Sequence, residues 1–484
     1  MRFGVVLYNL GKISLVLAVA IILPEIYAVI YGESDFWALF YSQLIMLVVG
    51  GGLMIGCRKK RKLTLRYREG FAIATFGWLL AATLGAIPYI LSNSCPPVDA
   101  WMESMSGFTT TGASILPDLE ALPRGILIWR GLTHWLGGIG IVVLLLAVVS
   151  GSSGSKMYKA EAPGNSLIDK MVSKTGDTAK ILCFVYLAMS ISCLLLLMLA
   201  GMNFMDALCH TFGSVSTGGF SSHNTSMSFY DNNPAAQWVI IVFMIMAGAN
   251  FAYYYLSLVK RRNYFLRSEE FRIYILIIVG ATLAVVASLI HNGIYPDKSL
   301  EYIIRQAMFQ VVTIMTTTGF YSADYELWPP FCRVLLFCLF FIGGCAGSTS
   351  GSMKVSRIIV GVKSCAAACD KALQPKLVTA VKLDKKALSS NTLNQVMVFI
   401  VMYMFLLLLG ALVLGWQGLS PFESFSVTMA SLGNVGPAFE TYGPTCNYIG
   451  LTDFSKIFLA FYMMIGRLEL MTVLVLFTRG FWRK

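Results

Sequence analysis

Gly107-Phe108-Thr109-Thr110-Thr111-Gly112, Gly213-Ser214-Val215-Ser216-Thr217-Gly218, Ile314-Met315-Thr316-Thr317-Thr318-Gly319 and Ser431-Leu432-Gly433-Asn434-Val435-Gly436 are four variants of one short pattern. Each closes an amphipathic segment too short to cross a hydrocarbon core, which takes about 20 helical residues. The natural reading is a half-helix that enters the membrane, stops midway and returns as extended backbone. Irregular backbone at that depth is tolerated only where protein buries it or water reaches it, so four such breaks point to one aqueous path. An internal repeat decides a fold more firmly than any single motif.

Outward from these loops the chain is apolar. Of 484 residues, 57% are hydrophobic and 13% are charged, and the mean hydropathy is +0.70. Continuous apolar runs fall near 7–31, 36–57, 70–92, 126–149, 179–201, 235–259, 272–291, 331–360, 392–416 and 455–478. Runs of this length exclude a soluble domain, and they exclude an outer-membrane barrel, whose strands are short and alternate in polarity. The first run is too long for the apolar part of a signal peptide and is expected to be retained as a helix. The expected architecture is an all-α polytopic membrane protein. Two N-terminal helices (1–69) precede four helix–half-helix–helix units (70–160, 161–262, 263–388 and 389–484), set pseudo-fourfold around one pore.

The net charge of +12 does not imply nucleic acid, because of where the charge lies. Lys and Arg gather at 58–68, 156–180, 260–272 and 354–386, whereas the alternate loops carry Glu33, Asp99, Asp118, Glu120, Asp231, Asp324 and Glu326. The positive-inside rule puts the basic clusters and both termini in the cytoplasm. Most cysteines lie in or beside apolar runs as small packing residues. Cys95 and Cys446 fall in outer loops, where a disulfide between them is one option. His134, His210, His223 and His291 have no metal-ligand spacing, and Gly137-Gly138-Ile139-Gly140 lacks the spacing of a dinucleotide turn.

Glycine at the end of each loop opens backbone angles closed to other residues and lets chains approach closely. Carbonyl oxygens in a ring can replace the hydration shell of a cation. The half-helices would aim their partly negative C-terminal ends at the same axis, and the acidic outer loops would concentrate cations ahead of it. The competing reading, Thr-Gly pairs that merely let helices pack, suits one loop better than four in register. A second irregularity is the run Gly343-Gly344-Cys345-Ala346-Gly347-Ser348-Thr349-Ser350-Gly351, which interrupts an apolar span and is expected to be a loop at membrane depth. Arg467 is costly within a span, about 2.5–3.5 kcal/mol on insertion scales, so it must face the bundle interior or water. Glu469, two positions on, does not share its face.

These loops, with His134-Trp135-Leu136-Gly137-Gly138-Ile139-Gly140, the run at 343–351 and Gly466-Arg467-Leu468-Glu469, resemble the TrkH family, the membrane subunits of bacterial potassium uptake systems. The wider superfamily includes KtrB and the plant and fungal Trk/HKT transporters; the two extra N-terminal helices are similar to TrkH rather than to the shorter KtrB. The resemblance implies a potassium filter of backbone carbonyls at Thr110, Thr111 and Gly112, at Ser216, Thr217 and Gly218, at Thr317, Thr318 and Gly319, and at Asn434, Val435 and Gly436. In the fourth loop Gly433 rivals Gly436. One glycine per loop implies few ordered ion sites and incomplete discrimination among potassium, rubidium and sodium.

The resemblance further implies a gate below the filter, built from Gly343, Gly344, Gly347, Ser348, Thr349, Ser350 and Gly351 with Arg467. It implies a homodimer in the bacterial inner membrane, opened by a cytosolic ring of nucleotide-binding TrkA-type subunits that dock at 156–180 and 363–386. No cofactor is expected in the chain, potassium being the substrate, and the partners are the lipid bilayer and that ring, not nucleic acid. The alternative within transport is a proton- or sodium-coupled symporter with alternating access, which predicts more ionisable midplane residues. A membrane-embedded enzyme would need clustered His, Asp or Cys, and no such cluster appears in the spans.

Overall fold

A computed structural model describes residues 1–58, 66–149, 175–261, 263–377 and 380–483. Every apolar run contains helix, and most are helical throughout. Phe3–Tyr31 (α1, Phe3–Ala20, with α2, Ile22–Tyr31), α3 (Phe36–Gly56), α4 (Tyr67–Leu91), α7 (Thr175–Leu199), α11 (Glu269–His291) and α15 (Ser390–Trp416) supply six stretches long and apolar enough to cross a membrane. Their outer faces carry exposed Phe184, Leu199, Leu283 and Leu412, as expected of helices that meet lipid. The protein is a multi-pass membrane protein.

Between the spans lie four half-helices: α5 (Pro97–Phe108), α8 (Phe204–Val215), α12 (Leu300–Met315) and α16 (Pro421–Leu432). The longest has 16 residues, about 24 Å at 1.5 Å per residue, short of a full crossing. Their starts are specified locally. Asn203, Ser299 and Ser420 each accept the backbone N–H three residues on, Glu423 completes a capping box, and Pro97 opens α5. Polar caps fix where three of the half-helices begin, proline marks the start of the other, and most of their residues are buried.

The helix after each loop is less regular than apolarity suggests. In the first unit, α6 (Arg124–Val149) runs unbroken. In the second, α9 (Pro234–Ala247) and α10 (Phe251–Lys260) meet at 88°, and in the fourth, α17 (Asp453–Arg467) turns by 110° into the short α18 (Met471–Leu474). In the third, residues 340–354 separate α13 (Pro330–Leu339) from α14 (Val355–Leu373). Only the third break is expected from composition. The others arise where the Asn250 side chain caps α10 and where Glu469 and Leu470 take positive φ, signals that a continuous apolar run conceals. A small hairpin, β1 (Lys382–Leu383) with β2 (Lys386–Ala387), departs from the all-α expectation. Its two-residue turn, Asp384-Lys385, has both φ values positive, which matches the strand twist. Residues 59–65 of the 58–68 cluster and most of the expected docking segment at 156–180 lie outside the described residues.

Candidate functional site: a four-loop carbonyl ring above a pinned intramembrane loop

The four half-helices end alike. Thr110, Thr217, Thr317 and Asn434 take left-handed φ of 50°, 55°, 54° and 53°. The next residue in each loop donates its N–H five residues back: Thr111 to Ser106, Gly218 to Gly213, Thr318 to Thr313 and Val435 to Ala430, at 2.8–2.9 Å. This is a Schellman-type end with threonine or asparagine where glycine is usual. Two residues past each left-handed residue comes a glycine with φ of 84°, 82°, 87° or 99°: Gly112, Gly219, Gly319 and Gly436.

That register matches the expected glycine in three loops and moves it in one. In the second loop the equivalent of Gly112 is Gly219, and Gly218 occupies the position of Thr111, Thr318 and Val435. Ser216 correspondingly falls at the helix end, beside Thr109, Thr316 and Gly433. Sequence offers Gly218-Gly219 side by side, and only the backbone angles choose between them. In the fourth loop Gly433 is right-handed and ends its helix, so Gly436 is the equivalent residue.

The loops meet in cyclic order. A Cβ built on Gly112 would lie 2.3 Å from the Gly218 carbonyl oxygen, on Gly219 2.0 Å from that of Thr318, on Gly319 2.3 Å from that of Val435, and on Gly436 2.6 Å from that of Thr111. The first loop thus abuts the second, the second the third, the third the fourth and the fourth the first. The result is a closed ring of four backbone carbonyls in which no side chain fits at the glycines. Above it opens a cavity of about 140 Å³ lined by Gly112, Gly219, Gly319, Ser114, Ser221 and Tyr448 among others.

Contacts between units hold the ring. Arg130 of α6 pairs with Glu103 of α5 at 2.6 Å, both buried, and donates to the Ser221 carbonyl of the second loop at 2.8 Å. Gln237 of α9 accepts from Arg305 of α12, Phe337 of α13 packs on Phe422 of α16 at 5.4 Å, and Lys456 of α17 pairs with Asp99 of α5 at 2.7 Å. The Arg130–Glu103 pair lies within the first unit; the other four links each join one unit to the next in the same order as the loops. At the outer surface the Asp206 carboxylate accepts from Ser222 at 2.5 Å, Tyr230 at 2.6 Å and His223 at 3.0 Å. Burial disfavours the charged His223 ring, but the hydrogen bond and charge of Asp206, with Glu120 behind, outweigh it and raise its pKa above 6.5. Cys95 and Cys446 are both free thiols; no disulfide joins them.

Under the ring lies the 343–352 loop. Gly343 donates to the Met353 carbonyl and Gly344 to Ser350 Oγ, at 2.8 and 2.9 Å. A Cβ on Gly343 or Gly344 would stand 2.1 or 2.5 Å from the carbonyl oxygens of Gly351 and Gly248. The Gly347 carbonyl accepts from Phe251 N–H across the α9–α10 break. Ser348 Oγ bonds Ser350 Oγ at 2.7 Å. Two contacts reach up to the ring: Gly351 N–H donates to Thr317 Oγ1 at 2.6 Å, and Thr217 Oγ1 donates to Thr349 Oγ1 at 3.3 Å. From the side, Arg467 donates Nη1 to the Thr349 carbonyl, while its Nε and Nη2 have no partner among the described residues.

The sequence reading misses several supports of this loop. Lys354 donates to the Ser350 carbonyl, Arg357 pairs with Glu469 and lies over Phe399, and Glu270 reaches the loop from the start of α11. A carboxylate opening an apolar span at Glu269-Glu270 is the one signal that pointed to the last of these. Among the described residues no group of His, Cys, Asp and Glu is placed to hold a metal ion.

Residues 38–483 match the TrkH family model, described as a cation transport protein. The chain is 36% identical over its whole length, and over the whole of the relative, to the Trk system potassium uptake protein TrkH of Escherichia coli K12. It is 34% identical to that of Halomonas elongata, with both chains covered in full. The crystal structure of the potassium transporter TrkH from Vibrio parahaemolyticus superposes with a TM-score of 0.91 at 31% identity, covering 100% of both chains. These relatives are named as transporters, not enzymes, and the chain belongs to the TrkH family of cation transport proteins.

Proposed function

We propose that this chain is the potassium-translocating subunit of a Trk-type uptake system in a bacterial inner membrane, with both termini cytoplasmic. The observation that carries the reading is the closed ring of the Thr111, Gly218, Thr318 and Val435 carbonyls, each set against the glycine of the loop before it. Backbone carbonyls in such a ring take the place of water around a partly dehydrated cation. The names of the relatives supply potassium as the ion, and rubidium, close to it in size, serves as a probe. Thr110–Gly112, Thr217–Gly219, Thr317–Gly319 and Asn434–Gly436 form the filter. The 343–352 loop and Arg467 form the gate, whose positive charge opposes a resting cation. Dimerisation and gating by a cytosolic, nucleotide-binding TrkA-type ring complete the proposal, with the exposed basic surface around 363–386 as the docking face.

The test is rubidium uptake into liposomes that hold the purified protein under an outward potassium gradient, with and without the cytosolic ring and nucleotide. Uptake that potassium blocks, sodium blocks weakly and Gly319→Ser alters supports the selective pore. Uptake with the same ion preference in the Gly319→Ser protein refutes the filter. Failure of the ring with nucleotide to change the rate refutes the proposed gating.

A further inference from the structure

The 343–352 loop is ten residues of backbone at membrane depth, rich in glycine and serine, and something must hold it in one place. Its bonds to Thr317, Thr217 and Arg467 tie its tip to the ring and to α17. Lys354 and the backbone of the α9–α10 break hold it as well, and one carboxylate ties it to the helix that follows. Glu270 Oε1 accepts the N–H of Ala346 at 2.7 Å and the N–H of Ser356 at 3.1 Å. Ala346 lies inside the loop and Ser356 in the first turn of α14, so a single oxygen staples the loop to the helix that follows it. Both donors would otherwise be buried without a partner: Ser356 is one of the first-turn N–H groups that no helix satisfies itself. Glu270 is 4% exposed, and no basic side chain forms an ion pair with it among the described residues.

The preceding residue faces the other way. Glu269 pairs with Lys363 of α14 and accepts the N–H of Asp384 at 3.3 Å, while its own N–H donates to Asp384 Oδ1 at 2.7 Å. Lys363 in turn donates to the Lys382 carbonyl at 2.9 Å. The 382–387 hairpin is thereby clasped to the first turn of α11, and its Leu383 is buried in the core beside Val355, Val360 and Tyr274. Adjacent carboxyl groups on one helical turn thus grip the surface hairpin and the intramembrane loop.

We propose that Glu270 is the positioning residue of the gate. Its carboxyl oxygen holds the 343–352 loop under the ring, and Glu269 transmits movement of the hairpin on the basic face to that hold. The inference rests on the reading of this loop as the gate. It assigns a task to the start of α11, which touches neither the ring nor the cavity above it.

Hydrogen–deuterium exchange and rubidium flux on the full-length protein in liposomes separate the parts. Glu270→Ala leaves two buried N–H groups unsatisfied, so amide exchange across 343–356 should rise by about tenfold or more. Rubidium flux without any cytosolic partner should rise with it, at an unchanged rubidium-to-sodium ratio. Glu270→Gln, which keeps the accepting oxygen, should stay near the wild type on both counts. Glu269→Ala should loosen the same peptide, and the double variant should exchange no faster than Glu270→Ala alone. Unchanged exchange at 343–356 in folded Glu270→Ala, a Gln variant as loose as Ala, or effects of Glu269 and Glu270 that multiply overturns the proposal. If Glu270→Ala will not fold, the Gln and Glu269 variants decide it: a loosened Gln variant, or a Glu269→Ala protein whose loop exchanges as in the wild type, overturns it. Faster exchange with unchanged flux shows a loop that is anchored but does not gate, and overturns the gate reading together with this inference. Loss of ion preference in any of these variants would place the effect in the ring instead.

Discussion

Thr110, Thr217, Thr317 and Asn434 occupy left-handed backbone that costs a non-glycine residue about 1–3 kcal/mol. Three of the four side chains are in use elsewhere, which explains why glycine does not stand there. Thr317 accepts from Gly351, Thr217 donates to Thr349, and Asn434 donates to Thr111 Oγ1 and to the Met463 carbonyl, at 2.9 and 2.8 Å. Replacing Thr317 with Val keeps the shape and strands the buried Gly351 N–H, at a cost of about 1–3 kcal/mol; a lowered melting temperature and raised basal rubidium flux are expected.

Neighbouring glycines in the second loop separate cleanly at this scale. A Cβ on Gly219 meets the Thr318 carbonyl oxygen at 2.0 Å, whereas one on Gly218 meets the His134 ring at 2.5 Å. Gly218→Ala should therefore regain selective flux when His134 is shortened to Ala, and Gly219→Ala should not. Ion-competition assays on the two double variants check the register directly.

At the scale of elements, the pairing of α6 with α5 is the sharpest case. Arg130 and Glu103 are both buried, so Arg130→Met leaves a buried carboxylate without its partner, which destabilises by about 3–5 kcal/mol. A matching fall in thermal stability is expected, with partial recovery in Glu103→Gln/Arg130→Met. The segment after the second loop responds to pH through His223. Its pKa is raised above 6.5 in the folded protein, so its stabilisation is complete below that value and is lost as pH rises through the raised one. Melting temperatures across this window should fall at the alkaline end, and His223→Gln should flatten that part of the profile.

Elements also mark how far the sequence could be read. The half-helices were legible because polar caps and Thr-Gly endings punctuate apolar sequence at Asn203, Ser299 and Ser420. The break at 340–354 was legible because glycine and serine replace apolar residues there. The 88° bend before Phe251 and the turn at Leu468-Glu469-Leu470 were not. A helix start capped by Asn250 in the middle of an apolar run has the same composition as a continuous span, and the bend is set by Cys345 N–H bonding the Gly248 carbonyl at 2.8 Å from another unit. The supports of the intramembrane loop were hidden for the same reason. Glu270 and Ser356 are 86 positions apart: a carboxylate at the start of an apolar span marks one of the two, and nothing local announces its partner.

Across the whole molecule the ring is a site that exists only when all four units are in place. An ion bound there stabilises the assembled state by RT ln(1 + [L]/Kd), about 2.7 kcal/mol at a hundredfold excess over Kd. Potassium should therefore raise the melting temperature of the purified protein more than sodium does. The difference should vanish in Gly219→Ala, where the ring cannot close. A potassium effect that survives that substitution would place the bound ion elsewhere.

Because one chain supplies all four quarters of the ring, each quarter is written separately in its gene. In an assembly of identical subunits a single codon change alters every quarter at once. Here Val435 already stands where Thr111 and Thr318 do, and Gly218 has no side chain at all. If the ring is the filter proposed above, the ion preference of this chain is open to graded change, one wall at a time, by steps that leave the other three walls as they were.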